Sequence, residues 1–184
     1  MAAARKLFRL FKGLIEYQKI NKLIQNTPKD TDEIDLALAV LTRLGFFGYW
    51  LFDNIWICAH VGFLKRDKTP YKKPGMLSWL LALLFSIIAQ VRKLSKISSE
   101  KAAIIRLIRD APQKKEKFQE RLTTLDKNRF TCYKTIVKNV GDCVPASAFS
   151  GVAEKFGINW SDTAIGIGGS ISSFLTCYDL YPKK

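Results

Sequence analysis

Asp53 and His60 are the carboxylate and imidazole that a helical period would bring to one face, because Thr42, Tyr49, Asp53 and His60 follow one another at intervals of seven, four and seven residues. A general base with its orienting carboxylate needs contact, and seven helical residues separate these two groups by about 10 Å. They read instead as a polar stripe on a greasy helix, which wants protein or water along one side and lipid or core elsewhere. Asp142 and Cys143 have no second histidine beside them to complete a nucleophilic arrangement. Gly166, Gly168 and Gly169 follow no strand and precede no lysine, so they do not form a phosphate-binding loop. Cys58, Cys132, Cys143 and Cys177 contain no CxxC pair, and with one histidine in the chain they give no zinc pattern. They read as reduced thiols. Asn159-Trp160-Ser161 fits a glycosylation pattern, but no secretory signal accompanies it. The expectation is a non-enzymatic protein with no cofactor and no metal.

Function must then reside in surfaces. Thirty Lys and Arg against sixteen Asp and Glu leave +14 on a 184-residue chain that is 48% hydrophobic. Strong positive charge on an apolar chain points to nucleic-acid phosphates or anionic lipid headgroups, and the placement of the charges decides between them. A net +5 falls within residues 1–24, interleaved with aromatic and aliphatic residues. Much of the rest flanks apolar segments and is not gathered around base-stacking aromatics, which argues against nucleic acid.

The elements expected to carry these surfaces are all helical. Residues 5–24 form an amphipathic helix in which Leu7, Phe8, Phe11, Leu14 and Ile15 make an apolar face, and Arg5, Lys6, Arg9, Lys12 and Lys19 a basic one. A basic helix with a bulky apolar face suits a membrane interface, where each cation contributes about 1 kcal/mol next to acidic lipid. Asn26 to Asp30 breaks it. A long apolar helix follows over 32–64, with Thr31, Asp32, Glu33 and Asp35 supplying its cap and acidic first turn. A shorter apolar helix over 76–94 should be its hairpin partner, a charged, water-exposed connector covers 95–128, and a helix over 129–150 is expected to weaken at Pro145. A C-terminal transmembrane helix is expected over 161–181. Its pairs Ala164/Gly168, Gly166/Ser170 and Gly169/Ser173 lie four apart, the spacing that lets helix backbones approach in lipid, so Gly166, Gly169, Ser170 and Ser173 are candidate packing and self-association residues.

Three anchors resemble the peroxisomal membrane protein 11 (peroxin-11) family. They are Ala4-Arg5-Lys6-Leu7-Phe8-Arg9-Leu10-Phe11-Lys12, then Phe52-Asp53-Asn54-Ile55-Trp56 with Gly62-Phe63-Leu64-Lys65, and finally Gly166, Gly169, Ser172, Ser173, Tyr178 and Leu180. The ending Cys177-Tyr178-Asp179-Leu180-Tyr181-Pro182 is most similar to plant-type members. The resemblance implies a peroxisomal membrane protein with both termini toward the cytosol that promotes elongation and division of the organelle. It also implies self-association, and partners that include a tail-anchored fission adaptor and a dynamin-related GTPase. Members of the family usually carry a further helical region before the first anchor, and this chain is expected to lack it. Residue physics leaves a second reading, a small-solute channel lined by Thr42, Tyr49, Asp53 and His60 in an oligomer.

Overall fold

The structure is a computed structural model that describes residues 9–28, 30–65, 67–111, 113 and 115–181. Among them there is no strand; the chain folds into α1 (Lys12–Asn26), α2 (Glu33–His60), α3 (Thr69–Asp110), α4 (Lys115–Ser150), the short α5 (Val152–Lys155) and α6 (Asp162–Leu180). α2 and α6 begin where side chains satisfy free amides. The Asp32 carboxylate accepts from the Ile34 amide at 2.9 Å, and the Ser161 hydroxyl from the Ala164 amide at 3.2 Å. They end where the backbone is forced to turn: Gly62 adopts φ +83° beyond α2, and Ala111, the residue before a proline, leaves the helical region at φ −143° beyond α3.

Each long helix packs antiparallel on its neighbour in sequence, α1 on α2, α2 on α3, α3 on α4 and α4 on α6. Glycines set the closest approaches. A Cβ built on Gly45 of α2 would lie 2.8 Å from the Ala82 Cβ of α3, and one on Gly48 would lie 3.1 Å from the Ser78 hydroxyl. Leu80 and Leu83 of α3 meet Ala146 of α4 in one buried cluster. This packing carries α4 through Pro145, where the helix was expected to weaken, to Ser150. The tertiary contacts outweigh a proline penalty of about 3 kcal/mol.

The structure corrects the expected boundary between an apolar helix and a charged connector. Residues 76–94 and the first part of 95–128 belong to a single helix of 42 residues, about 63 Å long. What changes near residue 95 is the company the helix keeps. Up to Lys96 it packs beside α2, whose first turn it meets through Arg92 and Lys96 bonded to Asp32 and Asp35. Beyond that point α3 continues for about 20 Å with α4 alone. This projecting hairpin has its own core of Ile97, Ile104, Leu125 and Cys132, flanked by Leu94, Ile108, Phe118 and Leu122. Lys101–Asp126 and Arg121–Glu100 pairs cross its surface.

Among the described residues two helices, α2 and α3, are long and apolar enough to cross a membrane. In a water-soluble protein such helices would form the core. Here only 6% of the most apolar stretch of α2 and 22% of that of α3 is buried, so their greasy sides face outward. The C-terminal helix α6 is not one of the two. Its Gly and Ser residues hold its apolarity below that of α2 and α3, and it leans on α4 instead.

Candidate membrane-interaction site

Within the described residues the amphipathic segment forms a helix over Lys12–Asn26. Phe11 sits in the left-handed region at φ +67°, the one non-glycine residue among those described to do so, and the turn it makes separates Arg9 from the helix. Arg9 uses that freedom to donate to the Asp53 carboxylate of α2 at 2.9 Å. Arg5, Lys6, Leu7 and Phe8 lie outside the described residues.

An amphipathic helix on a soluble protein turns its apolar face to the core. This one is inverted. Gly13, Glu16 and Ile20 are the residues buried against α2, with Glu16 only 7% exposed, while Phe11 is 69%, Leu14 58% and Ile15 52% exposed. The buried carboxylate is satisfied on both oxygens, by Lys19 at 2.6 Å and by Arg43 of α2 at 3.3 Å. Lys12 stands 4.6 Å over the Trp50 ring. Of the expected basic face, Arg9, Lys12 and Lys19 are engaged by Asp53, Trp50 and Glu16; of the expected apolar face, Phe11, Leu14 and Ile15 are exposed, whereas Ile20 further along is buried. A buried, paired carboxylate with Phe11, Leu14 and Ile15 outside is an arrangement that a lipid surrounding stabilises.

The stripe on α2 is drawn into the same packing. Thr42 donates to the Leu38 carbonyl at 2.7 Å. Tyr49 lies against Trp50 and Trp79 with ring centroids 4.8 and 5.5 Å away. Asp53 takes Arg9, and His60 stacks on Trp56 at 5.0 Å. Tyr49 thus reaches α3 and Asp53 the turn before α1, while these contacts of Thr42 and His60 lie within α2. Where Arg9 meets Asp53, the first turns of α3 close a cavity of about 130 Å³ whose lining includes Trp56, Tyr71, Lys72 and Met76. The sequence reading missed Tyr71 and Lys72; the one signal for them was the basic, aromatic turn between two apolar helices.

On α6 the structure separates the three small-residue pairs. Ala164 and Gly168 line the groove against α4, and Ser172, four residues on, is buried there. A Cβ on Gly168 would lie 2.6 Å from the Gly141 carbonyl oxygen. Gly166 and Gly169, by contrast, have open space around them, and Ser170 and Ser173 are exposed. The candidate packing residues thus do not hold α6 to α4; they form its outer face.

The family model described as Peroxisomal biogenesis factor 11 (PEX11) matches residues 1–181. A curated relative, the Peroxisomal membrane protein 11 homolog of Dictyostelium discoideum, is 25% identical over 197 residues, covering 98% of this chain and 75% of the relative. No solved structure matches. The family match across almost the whole chain, together with two unburied apolar helices, places the protein in the peroxisomal membrane with a role in peroxisome biogenesis, and the chain belongs to the PEX11 family.

Proposed function

We propose that this protein elongates the peroxisomal membrane and prepares it for division by inserting the apolar face of α1 into one leaflet. The observation that carries the reading is the inverted packing of α1. Phe11, Leu14 and Ile15 are held outward by a helix whose polar side is fastened to α2, so hydrocarbon is offered to lipid at a fixed position on the bundle. Shallow insertion of such residues expands one leaflet relative to the other. Many copies are needed for visible curvature, and the outer face of α6 supports self-association, because Gly166, Gly169, Ser170 and Ser173 leave room for a second helix to approach closely. Recruitment of a fission adaptor and a dynamin-related GTPase belongs to the same reading and rests on the family resemblance. No enzymatic step enters it.

The test uses the full chain. Overexpressed with a fluorescent tag, it should give elongated, clustered or more numerous peroxisomes. Phe11→Glu with Leu14→Glu should remain on the organelle and lose that effect. Label elsewhere in the cell with an unchanged peroxisome population would refute the reading.

A further inference from the structure

The Arg9–Asp53 junction closes a cavity that the membrane-bending reading does not use. Its chemistry is mixed. Arg9 and Lys72 bring two cations, Asp53 one carboxylate and Tyr71 a hydroxyl, while Trp56 and Met76 supply apolar wall. Two cations against one carboxylate leave a single net positive charge, the complement of one phosphodiester. The Arg9 side chain is 35% exposed even while paired, so part of its guanidinium remains open to a second anion. The cavity, about 130 Å³, has room for a small polar group such as a phosphate and not for a whole acyl chain.

The position matters as much as the chemistry. Trp56 lies in the last turns of α2 and Tyr71 in the first turn of α3, so the cavity sits where the two apolar helices reach the bilayer surface. Exposed Phe63 and Trp160 stand at the same end of the bundle, which is also where Lys72 lies over the Phe149 ring at 5.2 Å. Aromatics and lysines at the ends of apolar helices mark the headgroup level, where phosphodiesters are concentrated and their acyl chains run down the apolar helix sides.

We infer that this cavity is a binding site for the phosphate group of an anionic phospholipid, with Lys72 and Arg9 as its cationic ligands and Tyr71 as a donor. The inference rests on α2 and α3 crossing the membrane, and it is independent of whether α1 bends that membrane. Because Arg9 belongs to the turn that starts α1, an occupied site also fixes the N-terminal end of that helix on α2.

The experiment uses the purified full chain in an uncharged detergent, probed with phosphatidylglycerol, phosphatidylcholine or inorganic phosphate, with bound lipid counted by native mass spectrometry. One phosphatidylglycerol should be retained per chain in preference to phosphatidylcholine. Lys72→Glu should weaken that retention at least about tenfold, Lys72→Arg should preserve it, and Lys117→Glu, an equal charge change on the projecting hairpin, should leave it intact. Equal retention of both lipids, an unaffected Lys72→Glu protein, or an equal loss in Lys117→Glu would overturn the site. Inorganic phosphate competing as well as the lipid would overturn the lipid assignment and give the site to free phosphate. Vesicle or organelle elongation is not read in this assay, so failure here and failure of the membrane-bending reading remain separate results.

Discussion

Gly141 and Gly168 meet backbone to backbone: a Cβ on Gly168 would fall 2.6 Å from the Gly141 carbonyl oxygen, and one on Gly141 would fall 2.8 Å from the Gly168 oxygen. Neither neighbour can swing aside, because both are main chain. Gly168→Val should therefore push α6 off α4 and destabilise that hairpin by about 1–3 kcal/mol, seen as a lower thermal midpoint in detergent. Gly166→Val, with open space around it, should leave the midpoint nearly unchanged and, under the proposed self-association, reduce cross-linking between copies.

The α1 latch can be dissected by a double-mutant cycle. Arg9→Gln and Asp53→Asn each break a pair whose carboxylate side chain is only 11% exposed. Each should speed hydrogen exchange across residues 12–26, and the two together should do little more than either alone. Additive effects would show that the pair does not act as a unit.

Leu125, 2% exposed in the core of the projecting hairpin, gives a third outcome. Leu125→Ala should cost about 2–5 kcal/mol of local stability. Loss of exchange protection in residues 97–108 and 116–132, with the α2–α3 contact zone still protected, would confirm that the hairpin has its own core; uniform loss would contradict it.

The junction between the first turn of α2 and α3 should be acid-sensitive. The Lys96 ammonium, donating to Asp32 at 3.1 Å, holds that carboxyl below its ordinary range, with the Ile34 and Asp35 amides assisting. A carboxyl with a depressed folded pKa stabilises the fold above the ordinary carboxylate range, and that contribution is lost as pH falls through the folded value. The thermal midpoint should drop between about pH 5 and about pH 3, and Asp32→Asn should flatten the drop.

How far these features could be read in advance depended on how local their causes are. The capped, acidic start of α2 is a matter of residues 31–35 and was legible; the structure makes Asp32 the cap. The composition of α1 was legible too, but not its orientation. Glu16 looks like a lone acid on a solvated face until Arg43, 27 residues away, is brought beside it. On α6 the four-residue spacing identified three small pairs, and Gly141 on another helix selects which of them is buried. The expected break near residue 95 failed for a different reason. Composition reports what surrounds a helix, and α3 exchanges α2 for α4 without interrupting its backbone.

That continuity has a mechanical consequence. A helix of about 63 Å with no joint between its apolar and its charged part is a lever whose longer arm is embedded in the bundle and whose shorter arm, about 20 Å, projects from it. Force applied at the tip of the hairpin becomes torque on the embedded arm, and a change in its tilt is felt at the tip as displacement.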